Sequence, residues 1–309
     1  MQQENSTSTI AGATHSKAAG FLFALIAAVS YGLNPFFGIP LYQEGLSPLS
    51  VLFYRFFFAT LLLGGVMLIR RKSFYLPRRY WMHAVCSGIL VALTCLFWFM
   101  TFRIMDSGIS ATLLFVYPVM VAFIMFLLYK ERLNKGTIGG ILFALAGVAI
   151  LCQPGNGGRI NIAGLIYIFL SALTYAIYIV AVKQSRLKEL DSELLTFYAL
   201  LLAVPCFLAA LRGGADLQIL PSWNALGHAL GLGLFPSLCS FLFAALAIRR
   251  IGPTRTSVLG ALEPVTAVLV GIFLFHEPMT WKAAAGIVLI LISVCMIICL
   301  QDKKSTPEK

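Results

Sequence analysis

The charged residues of this chain fall in short clusters that bound long apolar runs. Eight runs contain no Asp, Glu, Lys or Arg: 18–43, 80–102, 107–129, 136–158, 160–182, 194–211, 217–248 and 283–301. Two more, 45–69 and 256–276, are each interrupted by a single ionisable residue, Arg55 and Glu263. A helix rising about 1.5 Å per residue crosses a hydrocarbon core of about 30 Å with roughly 20 apolar residues. The pattern predicts an all-α polytopic membrane protein of ten transmembrane helices, with no room for a soluble domain. Residues 1–17 are polar, rich in Ser and Thr and without periodicity, and predict a disordered tail. They lack the basic start and short apolar core of a cleaved signal peptide. Residues 301–309 form a second tail.

The apolar pattern repeats. Leu113 to Val119 reads Leu-Leu-Phe-Val-Tyr-Pro-Val, and Leu259 to Val265 reads Leu-Gly-Ala-Leu-Glu-Pro-Val. At an offset of 146, Pro118 falls on Pro264, Glu131 on Glu277 and Gly140 on Gly286. Upstream the offset is 144 and pairs Tyr31 with Tyr175 and Phe53-Tyr54 with Phe197-Tyr198. The repeats therefore cover 18–152 and 160–300, with five helices each. Five is odd, so the second repeat enters the membrane in the opposite sense to the first. Inverted repeats of this kind recur in secondary transporters.

Composition agrees with the pattern. Hydrophobic residues are 60% of the chain and charged residues 11%, against about half and a quarter in soluble domains. The net charge of +11 reads as membrane orientation rather than nucleic-acid binding, because of where the cations sit. With a cytoplasmic N-terminus, eighteen Lys and Arg fall in inside segments and four outside (Arg103, Arg159, Arg212 and Lys282). The positive-inside rule then places both termini in the cytoplasm. The seven cysteines lie almost wholly within apolar runs and lack metal-ligand spacing, so they read as small buried hydrophobes.

Leu262-Glu263-Pro264-Val265, followed by Ala267, Glu277 and Gly286 within a five-plus-five layout, resembles the EamA family of the drug/metabolite transporter superfamily. The likeness covers 18–300. It implies a bacterial inner-membrane exporter or permease for amino acids or other small metabolites. It also implies a substrate cavity between the repeats, lined by the first four helices of each, with the fifth at the periphery. The first repeat departs from the Glu-Pro pattern, carrying Tyr117 where the second has Glu263.

Glu263 and Arg55 each lie about 8 residues, or about 12 Å, from one end of their helices, which places both near mid-membrane. An ionisable group there faces a partner or a cavity. Two readings follow: Glu263 attracts an amine or carries a proton while Arg55 holds a carboxylate, or the two pair and lock helices together. Pro118 and Pro264 predict bends, with the carbonyls of Leu114 and Gly260 freed, serving either as hinges or as static kinks. Tyr31, Asn34, Trp98, Tyr117, Tyr175, Tyr178 and Ser240 are aromatic or polar candidates for the same cavity, as are Tyr54 and Tyr198. Tyr80 and Trp81 predict interfacial anchors. Gly136 with Gly140 and Gly227 with Gly231 predict close helix packing. Glu131 and Glu277 predict caps or pairs with Lys135 and Lys282.

No catalytic constellation accompanies these residues. His276-Glu277 lacks a second His, and no nucleophile elbow, intramembrane Asp pair or phosphate loop occurs. No cofactor or metal motif is present. The reading is a transporter whose partners are a small-molecule substrate and the bilayer, with protons as a candidate coupling ion and the oligomeric state open. A lipid scramblase or a non-transporting membrane sensor or scaffold is the alternative.

Overall fold

The computed structural model describes residues 2–101, 104, 113–131, 133–151, 161–274 and 281–299; Arg103, Arg159, His276 and Glu277 lie outside them. The described residues form ten helical spans and no strand. In the first repeat, α1 runs Gln2–Gly32 and resumes as Asn34–Gln43, followed by α2 (Pro48–Ile69), α3 (Arg78–Thr101), α4 (Tyr117–Tyr129) and α5 (Lys135–Leu151). In the second, α6 (Ile162–Gln184) and α7 (Ser192–Ala210) precede α8, built from Trp223–Leu232, a π-helical stretch Gly233–Cys239 and Ser240–Ile251. Then α9 joins Pro253–Leu259 to Leu262–Leu274, and α10 is Trp281–Cys299. Seven spans are long and apolar enough to cross a membrane, and three shorter apolar helices complete the set. The backbone of α1 is helical from Gln2, over the stretch whose composition reads as a tail.

Local chemistry sets several boundaries. Ser47 precedes Pro48 and its hydroxyl accepts from the Ser50 amide, which starts α2 with a cap and a proline in the first turn. Asn161 caps α6 in the same way through the Ala163 amide, 2.8 Å away. α1 breaks at Leu33, because Pro35 has no amide to donate, and the Asn34 side-chain amide donates instead to the Tyr31 carbonyl at 2.8 Å.

The two repeats pack as an inverted pair. α1 lies on α8 as α6 lies on α3, α2 on α8 as α7 on α3, and α1 on α9 as α6 on α4. α2–α7, α4–α9 and α5–α10 each pack across the pseudo-twofold axis. The correspondence reaches single hydrogen bonds. Tyr54 donates to the Gln218 carbonyl at 2.9 Å and Tyr198 to the Phe74 carbonyl at 2.8 Å; both pairs are related by the offset of 144. Tyr54 and Tyr198 are therefore loop clasps, not cavity residues. Their phenols reach the backbone of the loop that follows the partner helix.

α5 and α10 form the tightest of these contacts, at the edge of the bundle. Ser293 donates to the Gly140 carbonyl at 2.7 Å, while its repeat mate Gly147 lies against the Gly286 carbonyl. A Cβ on Gly147 would stand 2.7 Å from Ile290 Cγ1 and 2.9 Å from that oxygen. Gly147→Leu is thus expected to destabilise the fold by overpacking, by about 1–3 kcal/mol. Thermal unfolding in detergent reads this as a lower midpoint.

Several packing expectations change. Gly231 packs as expected, with Phe37 filling the space a Cβ would take, but Gly227 faces open space. Tyr80 is not an interfacial anchor: it is 3% exposed and donates to Glu189 at 2.7 Å, because its ring is covered where the basic loop folds back. Among the described residues no ion pair joins Glu131 to Lys135.

Candidate functional site

The repeats differ in how their first and third helices meet. α6 packs on the Ser240–Ile251 part of α8, whereas the symmetry-related approach of α1 to α3 is replaced by a cavity. This outer cavity holds about 470 Å³ and is lined by Asn34, Ile39 and Tyr42 of α1, Leu52 and Arg55 of α2, Trp98 of α3 and Leu232 of α8. That size lies within the range of about 300–1,000 Å³ usual for ligand sites. It opens at the end of the bundle where α1 turns into α2.

Two smaller cavities of about 30 Å³ each continue from it along the length of the bundle. The middle one is bounded by Tyr31, Thr94, Cys95, Trp98, Tyr117, Tyr175 and Glu263. The inner one is bounded by Tyr117, Tyr175, Tyr178, Ser240, Thr256, Ser257 and Glu263. Each has room for about one or two waters. Trp98 divides the outer from the middle cavity, and Tyr117, Tyr175 and Phe241 border both inner ones. Of the eleven candidates singled out from sequence, nine lie along this line of cavities, and Tyr54 and Tyr198 do not.

Arg55 and Glu263 do not pair. Among the described residues no carboxylate comes within ion-pairing distance of Arg55. Its Nε donates to Ser237 Oγ at 2.7 Å, Nη1 to Asn34 Oδ1 at 3.0 Å and Nη2 to the Pro236 carbonyl at 3.0 Å. The guanidinium also lies 5.2 Å from the centre of the Tyr31 ring, a cation–π distance. The mutual-lock reading fails because Trp98 borders both cavities and Tyr31 stands against the guanidinium on the side of the middle one. Arg55 nevertheless has a structural duty. Pro236 and the π-helical turn leave backbone oxygens of α8 without helical donors. Arg55 takes the Pro236 carbonyl, and the Ser237 hydroxyl takes that of Leu232 at 3.0 Å.

Glu263 sits in the first turn of the second α9 segment. Gly260 beside it lets the chain pass Tyr117: a Cβ there would lie 2.1 Å from the tyrosine hydroxyl and 3.3 Å from Glu263 Oε1. Tyr117 donates to the Ser257 carbonyl at 3.1 Å, and its ring stands edge-on to Tyr175 with centroids 4.8 Å apart. Neither proline kinks a continuous helix. Pro118 lies in the first turn of α4 and Pro264 in that of the second α9 segment. At Gly260–Ala261 the helix is interrupted outright, and the Gly260 carbonyl, expected to be free, accepts from the Glu263 amide at 2.9 Å. In a first turn the missing proline N–H goes unmissed.

Beyond the inner cavity the bundle is closed. The Tyr178 and Phe241 rings meet at 6.1 Å, and Lys183 Nζ donates to the Arg249 carbonyl at 2.6 Å. Arg249 in turn donates to the Leu187 carbonyl at 3.1 Å and to that of Leu190. Around this plug the 70–80 loop is strapped to the α6–α7 connection by Arg70–Glu193, Lys72–Asp191 at 2.7 Å and Arg79–Glu189 at 3.7 Å. The Lys72 hydrogen bond holds the Asp191 carboxyl below its ordinary value. Within the closed end, the hydroxyls of Thr196 and Thr254 are buried and find no hydrogen-bond partner among the described residues. Sequence reasoning passed over Ser237 and Thr196. Pro236, a proline in the middle of an apolar span, was the signal for the first, and no residue pattern marks the second.

Ten helical spans in two inverted repeats, enclosing a line of cavities, define a polytopic membrane protein. The sequence model of the EamA-like transporter family matches residues 18–153 and 162–299, and the chain belongs to that family. It is 25% identical over 261 residues to an uncharacterized transporter of Archaeoglobus fulgidus, covering 82% of this chain and 89% of that protein. An uncharacterized transporter of Bacillus subtilis, YwfM, is 22% identical over 295 residues, with 93% of this chain and 96% of the relative covered. A crystal structure superposes with a TM-score of 0.81 at 17% identity, covering 94% of this chain and all of that one. The two relatives from Archaeoglobus fulgidus and Bacillus subtilis are named as transporters.

Proposed function

We propose that this protein is a secondary transporter exporting a small polar or amphipathic metabolite, of amino-acid-like size, by alternating access. One observation carries the reading. The large cavity between α1 and α3 occupies the place where, by symmetry, α6 and α8 are packed shut. Exchanging the two arrangements between the repeats closes the outer cavity and opens an equivalent one at the other end. Inverted repeats support that motion about a central site. The unpartnered hydroxyls of Thr196 and Thr254 favour it too, because a buried polar group without a partner is costly and would be relieved by wetting. With both termini cytoplasmic in a bacterial inner membrane, the outer cavity faces away from the cytoplasm. Pro118 and Pro264, beside the helix interruptions, are the hinges in this reading.

Glu263 is the proton carrier in this account, since it is the one carboxylate bordering the axial cavities among the described residues. It is faced by Tyr31 from α1, Cys95 from α4's neighbour α3, Tyr117 from α4 and Tyr175 from α6. Pro264→Ala is expected to slow transport while leaving binding largely intact, which initial flux and equilibrium binding separate. The reading as a whole is tested in liposomes. A transporter moves soluble solutes and leaves labelled lipid in its leaflet; movement of lipid alone identifies a scramblase, and movement of neither a sensor or scaffold.

A further inference from the structure

Among the described residues four peripheral cations are answered by carboxylates: Arg70 by Glu193, Lys72 by Asp191, Arg79 by Glu189 and Arg212 by Asp216. Arg250 and Arg255 rest on carbonyls instead. The cations along the line of cavities and at its closed end have no ion pair either. Arg55, Lys183 and Arg249 are held only by carbonyls and neutral side-chain oxygens among the described residues. Such anchors fix a cation in place without cancelling its charge. A buried charge without a counter-charge is costly unless something of opposite sign or water reaches it.

Arg55 is 3% exposed, yet it borders the outer cavity. Ser237, Asn34 and the Pro236 carbonyl take one N–H on each of its nitrogens, and the Tyr31 hydroxyl lies within reach of the same guanidinium. A carboxylate is the natural counter-charge for a guanidinium held this way, because charge-assisted hydrogen bonds are the strong ones. The rest of the outer cavity is apolar or aromatic, with Ile39, Val51, Leu52 and Leu232 on its walls and Tyr42 and Trp98 at its ends. No acidic residue lines it, and Glu44 near the rim is engaged by Ser222 at 2.6 Å and by Asn224. An ammonium group would find a cation there and no anion.

Resting on the transporter reading, we infer that the transported solute is an amphipathic anion, a carboxylate on an apolar or aromatic body, and that Arg55 selects it by charge. Lys183 and Arg249 present the same sign of charge at the closed end, where the solute enters from the cytoplasm.

The test compares three probes with one body and different charge: 3-phenylpropionate, 3-phenylpropanamide and 3-phenylpropylamine, with phenylalanine as the zwitterion. Apparent affinity is read from the rise in thermal stability of the intact purified protein. The carboxylate is expected to bind about 10- to 100-fold more tightly than the amide, the factor a charge-assisted hydrogen bond supplies. The amine and phenylalanine are expected to bind more weakly than the carboxylate. Arg55→Gln is expected to remove the preference and Arg55→Lys to keep part of it. Because the probes are compared on the unmodified protein, the test holds even where Arg55→Gln fails to fold. Equal responses, a preference for the amine or the zwitterion, or no response to any probe overturns the inference. The transporter reading stands or falls separately, on whether liposomes containing the protein move soluble solutes.

Discussion

Glu263→Gln is expected to uncouple transport from the proton gradient. In proteoliposomes the native protein should move its solute faster with a pH gradient than without, and the variant should move it at one rate in both. The substitution keeps the shape and hydrogen-bonding reach of the side chain while removing the proton it can exchange. Among the described residues Glu263 has no ion-pair partner, so the change strands no opposite charge and folding should persist. Its position between the middle and inner cavities gives a proton, or a water carrying one, access from either end as the cavities open in turn. A variant that keeps the native response to the gradient removes Glu263 from the coupling step.

The second large effect is expected at Gly260. A side chain there would meet the Tyr117 hydroxyl at 2.1 Å, far inside contact distance, and Tyr117 is buried. Gly260→Val is expected to push Tyr117 off the Ser257 carbonyl and to lower initial transport at least about tenfold, the equivalent of overpacking by roughly 1.4 kcal/mol or more. Tyr117→Phe removes the oxygen that clashes. The double variant Gly260→Val with Tyr117→Phe should therefore recover part of the loss, and the two changes should be non-additive as direct neighbours are. Additive losses would place the effect of Gly260 elsewhere than at Tyr117.

Much of this arrangement was legible in the sequence because a membrane imposes simple rules. Apolar runs bounded by charge clusters mark the spans, and a fixed offset between Tyr31 and Tyr175 or Pro118 and Pro264 reveals the inverted halves before any coordinate is known. Arg55 and Glu263 stand out because ionisable residues are rare at mid-membrane. What sequence did not disclose depends on backbone geometry. Pro118 and Pro264 read as kinks, but interruptions two to four residues earlier place both in first turns. Tyr54 and Tyr198 share the composition of cavity residues, and only the fold of the following loops sends their hydroxyls to carbonyls. Arg55 and Glu263 lie at similar depth, and depth alone could not show that Tyr31 and Trp98 separate them. The π-helical turn at Gly233–Cys239, which supplies two of Arg55's partners, has no counterpart in the first repeat and so escapes any argument from symmetry.

The central claim is that the two repeats exchange arrangements. Gly38 borders the open cavity, whereas Ala199, the repeat mate of Arg55, is fully buried in the closed end. Single cysteines at these positions, in a transport-competent variant whose native cysteines are replaced, can be challenged with a membrane-impermeant thiol reagent from each side. The account predicts that Gly38→Cys reacts from one face and Ala199→Cys from the opposite face, and that solute shifts the balance between them. An Ala199→Cys that reacts from neither face while transport proceeds, or that reacts from the same face as Gly38→Cys, would contradict it.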